Sequence, residues 1–154
     1  MEEKDIMAWA NEMAEKARLN FELDHHLMPV FMYINTRREI NIIGMPYQDD
    51  REKVLMAHIL KQLMKGVQVE ATLFITEAWI AEVKNECPPT TPIMDLPDAK
   101  DGVMFLLQYK DKTKHLFIEI KDGVLAKDAE WIDFTSVKGR LADFKDPEWY
   151  KGYA

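Results

Sequence analysis

The stretch Val103-Met104-Phe105-Leu106-Leu107-Gln108-Tyr109-Lys110-Asp111-Lys112-Thr113-Lys114-His115-Leu116-Phe117-Ile118-Glu119-Ile120-Lys121 decides the fold class. Its two ends, 103–109 and 115–121, are rich in the branched and aromatic side chains that pack well on a pleated surface. Between them Asp111-Lys112-Thr113-Lys114 is wholly polar, so the chain reverses and the two runs form a β-hairpin. Asp122-Gly123 follows as a second turn signal, since both residues accept the backbone angles of a tight reversal.

Upstream, residues 84–102 hold Pro88, Pro89, Pro92 and Pro97, which suits a surface loop and no regular element. Residues 72–83 read as a strand apolar enough to lie centrally in a sheet. A helix is expected from Asp49-Asp50, whose short acidic side chains cap exposed amides, to about Val69. Met56, Ile59, Leu60, Leu63, Met64 and Val67 mark its apolar face. Gly66 within it either costs about 1 kcal/mol relative to alanine or marks an earlier end. Residues 30–34 and 39–43 read as two strands joined at Asn35-Thr36-Arg37-Arg38 and stopped at Gly44-Met45-Pro46. Residues 2–21 repeat Ile6, Ala10, Met13, Ala17 and Phe21 at helical steps, with a turn over 23–29 leading out.

Beyond the hairpin two patterns compete. Residues 130–134 extend the sheet as a strand, yet Trp131, Phe134, Val137, Leu141 and Phe144 also fall at helical spacing. The strand, through Thr135, is the preferred reading. The order is then α-β-β-α-β-β-β-β: one mostly antiparallel sheet with two helices packed on it, class α+β. Residues 1–145 form a single domain and 146–154 an aromatic tail.

The 154 residues carry 20 Lys plus Arg against 27 Asp plus Glu, a net charge of -7, and no basic run exceeds Arg37-Arg38. Broad binding to nucleic-acid phosphates is disfavoured. Cys87 is the only cysteine, so no internal disulfide or cysteine-based zinc cage forms. The longest apolar stretch, 27–34, contains a proline and is far shorter than the roughly 20 residues a membrane helix needs. Met1-Glu2-Glu3-Lys4-Asp5 lacks the basic and apolar regions of a signal peptide. A cytoplasmic location is the expectation.

Pro97-Asp98 followed by Glu119-Ile120-Lys121 resembles the PD…(D/E)xK nuclease superfamily. The resemblance implies that Asp98 and Glu119 hold a divalent ion such as Mg²⁺ while Lys121 acts on the attacking water. Asp101, directly before the hairpin, is the alternative to Asp98. Glu119 and Lys121 share a strand face, as the chemistry requires. The motif spans only about 25 residues, and a Glu-x-Lys pair is equally the wet face of a strand. Asp24-His25-His26 resembles the signature of the DHH phosphoesterases, but the further motifs of that family are missing, and Asp and His suit a turn with positive φ. No resident metal or cofactor is expected outside the nuclease alternative.

Glu77 lies within an apolar run, Phe74-Ile75-Thr76-Glu77-Ala78-Trp79-Ile80, where a carboxylate needs a partner. It is either an acid facing a ligand beside Trp79 or a strand-end charge paired with a nearby Lys or Arg. Trp149, Tyr150 and Tyr153 place three aromatics in the tail, a composition common at contacts. The first helix, the turn over 24–29, the capped second helix and Thr76-Glu77-Ala78-Trp79 before a proline-rich loop together resemble a loose group of small uncharacterised α/β proteins of bacteria and bacteriophages. That resemblance implies the fold and no activity. The functional expectation is a non-enzymatic accessory or regulatory domain, phage or bacterial, acting on a protein partner or by self-association as a homodimer. The metal-dependent nuclease is the alternative.

Overall fold

The computed structural model describes residues 1–46, 50–80 and 99–133. They form α1 (Glu3–Asp24), β1 (Val30–Asn35), β2 (Ile40–Gly44), α2 (Asp50–Met64), β3 (Val69–Ile80), β4 (Lys100–Tyr109), β5 (Lys112–Lys121), β6 (Val124–Leu125) and β7 (Ile132–Asp133). The strands make one sheet in the order β2-β1-β3-β4-β5-β6, with β7 also paired to β5. Every pairing is antiparallel. The α+β order read from the sequence holds, including the strand reading of residues 132–133.

Side chains alternate between the two faces of a strand, and here both faces are covered. Met32, Ile34, Leu73, Ile75, Val103, Phe105, Leu107, Leu116 and Ile118 pack against Ile6, Trp9, Ala10, Met13, Ala17 and Phe21 of α1. Phe31, Phe74 and Leu106, the residues between them, pack against Ala57 and Leu60 of α2 together with Met45. The helices therefore take opposite sides of the sheet. That explains the unbroken apolar runs of β3 and β4, whose side chains meet a core whichever way they point.

Local details differ from the sequence reading: β3 starts at Val69 and β4 at Lys100, each earlier than expected, and the short β6 is an added strand. The β4–β5 turn is tighter than the four polar residues suggest: Tyr109 faces Lys112, and Lys110 takes φ 51°. Lys112 to Lys114 thus belong to β5. Helix α2 ends at Met64, five residues early, because Gly66 sits at φ 77°, the left-handed conformation that closes helices. Helix α1 runs three residues further than expected and stops where His25 adopts φ 54°, its N–H bonded to the Phe21 carbonyl at 2.7 Å. Histidine here fills a position more often given to glycine.

Phe105 is fully buried on the α1 side and meets Trp131 edge-on with ring centroids 6.4 Å apart. Phe105→Ala should lower the unfolding free energy in urea by about 3–5 kcal/mol, with the denaturation slope unchanged.

Candidate interaction surface

The residues singled out in the sequence do not assemble into one centre. Gly102 stands opposite Glu119 in the β4–β5 ladder, so Asp101, one residue earlier, projects from the other face of the sheet than Glu119. Lys121 stays beside Glu119, with Nζ 3.7 Å from Oε2. The Asp101 form of the nuclease constellation is thus not brought together: its two carboxylates are separated by the sheet itself. Asp98, Cys87, Trp149, Tyr150 and Tyr153 lie outside the described residues. Among the described residues no group of three His, Cys, Asp or Glu is placed to hold a metal ion, and no helix is long and apolar enough to cross a membrane.

Among the described residues the partners of Glu77 are a backbone amide and a histidine, not a Lys or Arg. Its Oε1 accepts the Leu27 N–H at 2.8 Å and lies 3.8 Å from Nδ1 of the exposed His26. The carboxylate therefore fastens the turn after α1 onto β3. Trp79, two residues on and on the same face, is exposed and stands opposite Asp101.

The other end of α1 is fastened by charge. Glu3 accepts the Tyr109 hydroxyl at 3.0 Å and Lys112 Nζ at 2.8 Å, with Lys114 Nζ at 3.5 Å. These bonds, Lys112 first and Tyr109 second, hold the Glu3 carboxyl at about 2 instead of 4.5. Burial, helped by the Glu3 bond, pushes the Tyr109 hydroxyl up to about 12.

Two features were not legible as candidates in the sequence. The first is an outer stripe on α2. Leu55 and Leu63 are each 57 % exposed and Ile59 is 42 % exposed, and their spacing of four places them along one ridge. Ile59 and Leu63, expected on the core face with Leu60, point away from it. The signal was the width of the apolar arc. Residues 54–64 are apolar over more of the helix circumference than one sheet can cover. The second is a polar row on the α2 side of the sheet, where Tyr33 faces Thr72, Thr72 faces Gln108 and Gln108 faces Thr113. Thr72 and Gln108 are buried, as is Lys61 of α2.

Glu77→Ala should cost about 1 kcal/mol in urea, since it strands a backbone donor beside a half-exposed site, while Glu77→Gln retains an acceptor and most of the stability. For Glu3, the folded form releases its proton more readily than the unfolded chain. Its contribution is therefore complete above pH 4.5 and is lost as pH falls toward 2. Between pH 5 and pH 2 (about the span of that titration) the melting temperature of Glu3→Gln should fall less than that of the wild type.

Neither the curated proteins nor the solved structures contain a match to the chain. A family model does match, over residues 1–137, and on that extent the chain belongs to the family of bacteriophage lambda protein ea47.

Proposed function

We propose that the protein is a non-enzymatic accessory or regulatory domain, encoded by a phage and working in the bacterial cytoplasm, that acts by binding another protein. The observation that carries this reading is the outer ridge of α2. Leu55, Ile59 and Leu63 lie on the side of the helix turned away from the sheet, outside the core cluster that Ala57 and Leu60 join. Contiguous apolar surface of this kind on a folded domain marks a contact site, and an i, i+4, i+8 ridge is the form in which a helix presents itself to a groove or to another helix. Family membership supports the phage setting. The nuclease alternative gains nothing from the hairpin, where Asp101 and Glu119 stand on opposite faces.

A photo-crosslinking amino acid placed at position 59 of the full chain, in cells carrying the phage, should yield a discrete adduct identified by mass spectrometry. The same group at position 12, on the exposed side of α1 where Glu12 pairs with Lys16, should not. Equal labelling at the two positions, or none at position 59, would remove the α2 ridge as a contact site.

A further inference from the structure

We propose that the protein forms a two-fold dimer in which β2 pairs with β2 of a second copy, joining the two sheets edge to edge. The proposal goes beyond the contact reading: it concerns the edge of the sheet, a surface separate from the α2 ridge, and stands independently of it.

The backbone of β2 is complementary to itself. Asn35 N–H bonds the Glu39 carbonyl at 3.1 Å, and Met45 N–H bonds the Pro29 carbonyl at 2.8 Å. Bonded and non-bonded pairs alternate along an antiparallel ladder. With Tyr33 facing Asn41 and Phe31 facing Ile43, the odd-numbered residues of β2 therefore bond β1. Ile40, Ile42 and Gly44 aim their N–H and C=O groups outward, and among the described residues β2 is the outermost strand on this side. These three positions are symmetric about Ile42. A two-fold axis there sets Ile42 against Ile42, and Ile40 against Gly44 of the second copy, and every outward group on both strands is used. A foreign strand has to supply that match separately; this strand supplies it by symmetry.

The side chains fit the same register. Ile40 and Ile42 stand opposite Ile34 and Met32, on the α1 side. A side chain at Gly44 would come 2.9 Å from Met28 Cε, so Met28 covers the glycine and is what Ile40 of the second copy would meet. Leu23 projects from the flank of α1 away from Asn11 and Arg18, which reach Trp131 and Ala126 near the far edge of the sheet. Leu23 is 80 % exposed, Ile42 63 %, Ile40 50 % and Met28 48 %. From two copies, these side chains and the paired backbones would form one continuous contact, to be set against the about 1,000 Å² that a specific interface has to clear. Residues 40–44 contain no charge and no proline, the usual guards of an exposed edge.

Sedimentation velocity of the full chain should give twice the 18.0 kDa chain mass. Ile42→Lys and Ile42→Glu each set like charges face to face across the axis, so each alone should sediment as a monomer with an unchanged circular dichroism spectrum. Mixed, they should recover the dimer. Ile42→Thr, which keeps strand propensity, should weaken the dimer several-fold, and it serves should a charged variant unfold. A monomeric wild type, a dimer indifferent to all three variants, or charge variants that stay apart when mixed would overturn the proposal. A dimer lost in Ile59→Lys but kept in Ile42→Lys would also overturn it, while leaving the contact reading intact on α2.

Discussion

Covering both faces of one antiparallel sheet removes the usual device by which strands keep their register. Where one face is wet, a slip of one residue turns every apolar side chain into water and is severely penalised. Leu73, Phe74 and Ile75 in β3, and Phe105, Leu106 and Leu107 in β4, are buried in both directions, so a slip merely exchanges one apolar contact for another. Other features must hold the alignment. The Tyr33-Thr72-Gln108-Thr113 row is one, since buried hydroxyl and amide groups are costly to misplace. Gly102 is a second. A Cβ there would lie 2.4 Å from the Phe117 ring and 2.5 Å from the Ile118 carbonyl, so the ring crosses β4 only where a glycine stands.

The same two-sided burial sets the demands on α1. As the cover of one whole face, the helix is fastened beyond its own packing. Glu3 ties its start to the β4–β5 hairpin, and Glu77 ties the turn beyond its end to β3. Both carboxylates are thereby spent on architecture.

Most of the fold was legible because its signals are local. The polar break before His115, the acidic start of α2 and the repeat of Ile6, Ala10, Met13 and Ala17 need nothing beyond neighbouring residues to be read. Gly66 carried its message as well, as the earlier of the two helix ends it allowed. What escaped was relational. That Asp101 and Glu119 face apart follows from a register between strands, and no single strand displays it. The partner of Glu77 is a backbone amide fifty residues earlier, which side-chain identity does not reveal. The role of Ile59 and Leu63 depended on how many sides of α2 the sheet could cover. Two helices on opposite faces leave each with one covered side, and the surplus apolar arc of α2 is turned outward.

The two margins of the sheet are finished differently. On one, β5 is flanked by the two-residue strands β6 and β7 at Ile120-Lys121 and Lys114-His115, and Ala126 N–H takes the Glu119 carbonyl at 2.8 Å. On the other, β2 ends the described sheet bare. A molecule open on both margins can add copies without limit and grow into a filament. If β2 is the pairing edge proposed above, the short strands beside β5 break up the opposite margin, so that growth stops at two copies more readily than it continues into a filament.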